Sequence, residues 1–278
     1  MKKTIVLAAA GIALLTGCTT ASKPAYDTFI CHRGESHDAP ENTMSAFRMA
    51  VDRGFGFECD LYLSKDKRVF SFHDKNLKRT TGLDLKCSEA SWVDTLSKID
   101  AGAWKGDQWK GERPALLEEI LPLARDGRKI YVEIKSGPEI VPYIKEIFAK
   151  QKIATPENAL FICFDPEVCA KLNELMGEYK VYWLCTAWFE DEKKRPLVPR
   201  SPASIIEKLR EIGADGVDIN FDKRIVDSNF VAEINAAGYE LHVWTVDQLD
   251  DALLAFARGA LTVTTNCSRK LLEEYRER

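Results

Sequence analysis

Two histidines, five acids and two cations stand at short steps along this sequence. The steps are His32-Arg33-Gly34, Pro40-Glu41-Asn42-Thr43, Glu58-Cys59-Asp60, His73-Asp74 and, much later, Glu133-Ile134-Lys135. The whole chain has four histidines, so two of them at such steps form a pattern. Imidazoles exchange protons near neutral pH. Three carboxylates are hard oxygen donors, suited to Ca²⁺ or Mg²⁺ rather than zinc. Arg33 and Lys135 could neutralise phosphate oxygens, the arginine through its fork. The set points to metal-assisted cleavage of a phosphate ester. No Ser, Cys or Thr lies in a recognisable nucleophile motif, which speaks against a covalent enzyme intermediate.

The elements that must position these groups are strands. Side chains two apart on a strand share a face, so Glu58 and Asp60 point together, as do Glu133 and Lys135. Strand-like runs fall at 28–32, 56–62, 69–73, 129–134, 159–164, 181–185, 215–220, 240–245 and 260–266. Amphipathic stretches at 43–52, 140–151, 166–176, 202–212, 227–237 and 247–257 lie between them. This alternation predicts a (β/α)8 barrel, an α/β fold whose reacting groups sit at the strand C-termini. Nine runs are one too many. Only six residues separate 62 from 69, too few for a parallel crossover, so 69–73 must return antiparallel as a hairpin on the second strand. Residues 75–113 break the alternation and carry Trp92, Trp104 and Trp109, which reads as an insertion over the catalytic face.

The 278 residues suffice for one large α/β domain, here 27–278. The pI near 5.7 and the absence of a basic block argue against nucleic acid as a partner. At the N-terminus, Lys2-Lys3 precedes an apolar run from Ile5 to Leu15, then Leu15-Thr16-Gly17-Cys18. That is the pattern of a secretory signal, too short to span a bilayer as a stable helix. The tetrad ending in Cys18 resembles the bacterial lipoprotein cleavage box. It implies removal of residues 1–17, lipid on Cys18, a tether over 18–26 and an extracytoplasmic, membrane-anchored protein. Removal deletes two lysines and no acid, taking the formal charge from −4 to about −6. Seven other cysteines remain, an odd number with no CxxC pair, so free buried thiols are expected rather than a disulfide framework or a zinc site.

The ordered set His-Arg-Gly, Pro-Glu-Asn-Thr, Glu-x-Asp, His-Asp and Glu-Ile-Lys, with Val243-Trp244-Thr245-Val246 downstream, resembles the glycerophosphodiester phosphodiesterase family over nearly the whole mature chain. The resemblance implies a TIM barrel with a small insertion and one divalent cation, Ca²⁺ or Mg²⁺, on Glu58, Asp60 and Glu133. It further implies His32 and His73 as acid and base, Arg33 and Lys135 on phosphate, and Trp244 as a pocket aromatic. One departure is Thr265-Asn266, where the family often has Thr-Asp; this suggests an orienting rather than a ligating role for Asn266.

The expected reaction releases glycerol 3-phosphate and an alcohol, with the glycerol 2-hydroxyl or water as nucleophile. The bound hydroxyl is favoured by proximity. Two rivals are a phospholipase D-like enzyme acting on lysolipids or sphingomyelin, and a surface lipoprotein that binds without turnover. Other residues have two readings each. Glu41 and Asn42 could support the site or start a helix. Phe164 could touch substrate or simply pack. His37 could line the mouth or be a solvated loop residue. His242, one layer below Trp244, reads as a core histidine, and Lys193-Lys194-Arg195 as a solvated run.

Overall fold

A computed structural model describes residues 24–125, 127–189 and 197–278. Nine strands form one sheet: β1 (Phe29–Cys31), β2 (Gly56–Leu63), β3 (Val69–Ser71), β4 (Ile130–Ile134), β5 (Ala159–Cys163), β6 (Val181–Cys185), β7 (Gly216–Asn220), β8 (Glu240–Trp244) and β9 (Val263–Thr265). All but β3 run parallel, and the β1–β2 pairing closes them into an eight-stranded barrel. The fold is the expected TIM barrel. β3 is the odd strand, antiparallel on β2 with Leu61 opposite Ser71 and Leu63 opposite Val69.

Each strand is buried on both faces, so alternation sorts its side chains between two cores. Phe57, Cys59 and Leu61 of β2, with Leu241 and Val243 of β8, face outward into the large layer between sheet and helices. Inward-facing Ile30, Tyr131, Leu160, Ile162, Tyr182 and Leu184 fill the barrel, with Trp244 packed on them. Glu58, Asp60 and Glu133 share this inward set, and Asp60 is in register with Glu133. The seven described cysteines are all buried and free, as small hydrophobes.

The outer helices are α1 (Met44–Asp52), α4 (Val141–Gln151), α5 (Pro166–Met176), α6 (Pro202–Ile212), α7 (Ser228–Ala236), α8 (Leu249–Arg258) and α9 (Ser268–Glu277). Their starts follow capping chemistry: Thr43, Asp165, Ser201 and Asp227 each accept a hydrogen bond from a backbone N–H in the first turn. The stretch expected at 247–257 begins instead at Leu249, because the Asp247 carboxylate is engaged elsewhere.

Between β3 and β4 the chain forms α2 (Lys78–Thr81), α3 (Leu117–Ile120) and several single turns. These pack a second small core from Phe70, Phe72, Leu77, Trp92, Leu96 and Leu116 against the hairpin. Asp66 in the hairpin turn accepts from the backbone N–H groups of Trp92 and Val93, at 2.7 and 3.1 Å. Trp92 is buried, whereas Trp104 is largely exposed. No helix among the described residues is long and apolar enough to cross a membrane. Cys18, the signal and most of the tether, and Lys193-Lys194-Arg195 lie outside the described residues.

Candidate active site

Several of the side chains singled out in the sequence emerge where the strands stop. His32 follows β1, His73 lies two residues after β3, and Lys135 and Phe164 follow β4 and β5 directly. The strand runs read from sequence extend through His32, His73 and Phe164, whereas the run at 129–134 stops just before Lys135. The ladders end earlier because these side chains converge on the barrel mouth rather than stay in the alternating pattern.

Glu58, Asp60 and Glu133 bring carboxylate oxygens within 4.8 Å of one another, and all three are buried. Glu58 Oε1 and Asp60 Oδ1 are buried with no hydrogen-bond partner. Their other oxygens are held: the Arg33 backbone N–H donates to Glu58 Oε2 at 2.8 Å, and Asn42 Nδ2 donates to Asp60 Oδ2 at 2.7 Å. Three clustered carboxylates, two of them with a buried oxygen that accepts no hydrogen bond, fit a hard divalent cation. Burial, then Asp60 and Glu133, drive the Glu58 carboxyl well above its ordinary range. Burial and Asp60 push Glu133 up to about 7 against the pull of Lys135. Asp60 goes the other way: burial opposes its charge, but Lys135, His73, Arg33 and His32 hold its carboxyl below the usual value. Lys135 Nζ lies 2.7 Å from Glu133 and 3.4 Å from Asp60.

The loop after β1 makes this cradle possible. Arg33 and Asn42 both have φ 57°, and Gly34 has φ 76°. A Cβ on Gly34 would sit 2.7 Å from backbone and side-chain atoms of Ala46, so only glycine lets the loop pass α1. Asn42 thus supports the site rather than starting the helix; Thr43 is the cap. Glu41 bridges Arg33, at 3.0 Å, to Arg79 of α2, at 2.6 and 2.9 Å. Arg79 Nε then reaches Asp74 at 2.6 Å, and Asp74 Oδ1 lies 2.7 Å from His73 Nδ1. One chain of charge-assisted bonds therefore ties the His32 loop to the His73 loop.

His32 is set from the far side of the barrel. Asn266 Oδ1 lies 2.7 Å from His32 Nδ1. Asn266 gives its side-chain N–H to Asp247 Oδ2 at 2.7 Å and its backbone N–H to Asp247 Oδ1 at 2.8 Å. A carboxylate only accepts, so the amide nitrogen faces Asp247 and the amide oxygen faces the ring. His32 must carry its proton on Nδ1, which leaves Nε2 as an acceptor 4.0 Å from Glu58 Oε2. Burial and Arg33 lower the His32 pKa to about 4 despite Asp60 and Asn266, so the ring is neutral.

These groups open onto a cavity of ≈ 260 Å³. One wall carries His32, Arg33, Glu58, His73, Glu133 and Lys135; the other carries Ile162, Phe164, Leu184, Asp218, Trp244 and Thr264. Phe164 and Trp244 meet edge to face, with centroids 5.5 Å apart. His37 is outside the cavity, exposed and paired with Asp38 at 2.7 Å. His242 is buried at the barrel floor, bonded to Thr262 at 2.7 Å. A larger depression, ≈ 460 Å³, lies at that opposite end, but there Lys180, Tyr182 and Glu240 satisfy one another and the described residues form no acidic cluster of metal-binding size. The smaller cavity is the one that gathers the histidines, acids and cations singled out in the sequence. Sequence reasoning missed Arg79, Asp218 and Asp247, which lie outside every motif.

A TIM barrel with two oriented imidazoles, an acidic cradle and two cations at its mouth defines a phosphoester-cleaving site. Residues 32–269 match the model of the glycerophosphoryl diester phosphodiesterase family. YhdW of Bacillus subtilis (strain 168) is 35% identical over 248 residues, covering 85% of this chain and 93% of that protein. The Homo sapiens protein named lysophospholipase D GDPD1 is 27% identical over 268 residues, covering 87% and 84%. The solved Oleispira antarctica phosphodiesterase OLEI02445, in complex with the product sn-glycerol-3-phosphate, superposes with a TM-score of 0.77 at 25% identity, covering 90% of this chain and 96% of that one. The chain belongs to the glycerophosphoryl diester phosphodiesterase family and is a phosphoric diester hydrolase.

Proposed function

We propose that this enzyme hydrolyses glycerophosphodiesters to glycerol 3-phosphate and an alcohol, with one divalent cation, Ca²⁺ or Mg²⁺, on Glu58, Asp60 and Glu133. The observation that carries this reading is the pair of buried oxygens that accept no hydrogen bond, Glu58 Oε1 and Asp60 Oδ1, inside an acidic cluster flanked by two held histidines. The product named for the Oleispira enzyme supports glycerol 3-phosphate as the product here. A cation held there would act as a Lewis acid on the phosphate and lower the pKa of a nearby hydroxyl.

Arg33 and Lys135 fix the phosphate oxygens. His32, neutral and with Nε2 free, takes the proton of the glycerol 2-hydroxyl as that oxygen attacks phosphorus. His73, with Asp74 on its Nδ1, donates a proton to the departing alcohol. The resulting cyclic phosphate is opened by water with the two histidines in reversed roles, each proton transfer contributing about 10²–10⁴ in rate. The protein acts outside the cytoplasm, lipid-anchored through Cys18. Turnover of a panel of glycerophosphodiesters and lysolipids, with and without Ca²⁺ and Mg²⁺, tests the substrate class. Faster turnover of lysolipids would favour the activity named for the human relative. An analogue with hydrogen at the 2-position should turn over at least about 10³-fold more slowly, some 4 kcal/mol in the barrier. Comparable turnover would show that water attacks directly.

A further inference from the structure

Asp218 is the one acid in the cavity that neither the cation cradle nor the proton transfers use. It points inward from β7, is 1% exposed, and has neither carboxylate oxygen hydrogen-bonded. Its register neighbours are Leu184 on β6 and His242 on β8, neither of which bonds its carboxylate, and Ile162 shares the wall. A buried carboxyl without partners costs stability, and such an exception calls for a ligand. The surroundings define what that ligand is. The Trp244 indole N–H donates to the Asp218 backbone carbonyl at 3.0 Å, which pins the ring beside the acid. Trp244 and Phe164 meet edge to face and both line the cavity. Apolar walls with one acid at the back match a short polyol, its C–H groups on the rings and one hydroxyl on the carboxyl.

We propose that Asp218 is a specificity-determining residue that accepts a hydrogen bond from the terminal hydroxyl of the substrate's glycerol, the one left free when the 2-hydroxyl goes to the reacting centre. This rests on the glycerophosphodiester reading. A carboxyl accepts from a hydroxyl whether or not it carries a proton. An acyl ester at that position offers no donor and leaves the acid unsatisfied, so Asp218 selects free glycerol over an acylated one.

The test uses the full enzyme, glycerophosphocholine, and its analogue lacking only the terminal hydroxyl. Wild type should prefer glycerophosphocholine by at least about tenfold in kcat/KM. Asp218→Leu, which matches its neighbour Leu184, should bring that ratio to within about threefold of unity. The loss should fall on glycerophosphocholine, with the analogue turned over as well as by wild type. Asp218→Asn, which keeps an acceptor, should retain most of the preference, and Asp218→Ala repeats the test if leucine does not fit. The Leu variant should also unfold at a higher temperature. An unchanged ratio in the Leu and Ala variants, or equal loss on both compounds, would overturn the proposal. So would loss of a preference among leaving alcohols with the terminal-hydroxyl preference intact. Turnover of neither compound by wild type would instead bring down the glycerophosphodiester reading on which this rests.

Discussion

Replacing Asn266 with alanine removes the group that holds His32 Nδ1, an amide oxygen 2.7 Å away. Three things change together. The ring loses one hydrogen bond, about 1 kcal/mol in net terms. It regains rotational freedom, up to about 1 kcal/mol. The proton is no longer confined to Nδ1, so part of the population presents N–H where the site needs a lone pair. The first two contributions give roughly 2 kcal/mol in the barrel-mouth geometry, about thirtyfold in kcat/KM, and the tautomer effect adds to this. The assay is kcat/KM on a glycerophosphodiester at saturating divalent cation, with thermal unfolding as a control for folding. The stronger check is a double-mutant cycle. If Asn266 acts through His32, then His32→Ala combined with Asn266→Ala loses no more than His32→Ala alone. An Asn266→Ala enzyme within threefold of wild type, or a double mutant that loses a further full factor, would refute the reasoning.

Glu133, held up to about 7 without a cation, keeps a proton in the folded protein that the unfolded chain releases from about pH 4.5 upward. In chelator, wild type should therefore lose stability between about pH 4.5 and 7 relative to Glu133→Gln, by at most about 3 kcal/mol, measured as the difference in their melting profiles. Chelation should abolish turnover, and restored Ca²⁺ or Mg²⁺ should raise the melting temperature more at pH 8 than at pH 5; full activity after verified metal removal would count against the acidic cradle. His73→Ala should lose at least about 10²-fold in turnover, while His242→Ala should lower the melting temperature and leave kcat largely intact. Expressed in bacteria, the protein should incorporate labelled fatty acid and sediment with membranes; Cys18→Ser should do neither, and an unlabelled wild type would leave only ordinary secretion.

The barrel and most of the mouth were legible because they rest on short-range rules. Period-two alternation put Glu58 and Asp60 on one face, and six residues between strand runs forced β3 to turn back. What escaped were partnerships made by closure. Asp247 lies 19 residues before Asn266, and only the β8–β9 pairing carries its carboxylate to the end of β9. Arg79 sits in an insertion with no periodic signal, yet it completes the link between the two histidine loops. Asp218 drew no attention in a run that also holds Asp215 and Asn220, and its meaning depends on which cavity that strand faces. Strand ends were overrun for the same reason: the residues that leave the ladder are the ones the cavity recruits.

The two walls of the cavity come from different stretches of chain. His32, Arg33, Glu58, His73, Glu133 and Lys135 precede residue 136, while Ile162, Phe164, Leu184, Asp218 and Trp244 all follow it. Under the proposed roles, bond-breaking and substrate choice thus fall in separate halves of the sequence. Mutation or recombination in the later half can hand the same chemistry a new alcohol or polyol without disturbing it. The exception is the thread from Asp247 and Asn266 back to His32. Any exchange of the later strands that keeps turnover must bring that pair along, which makes it the natural seam for grafting new specificities onto this barrel.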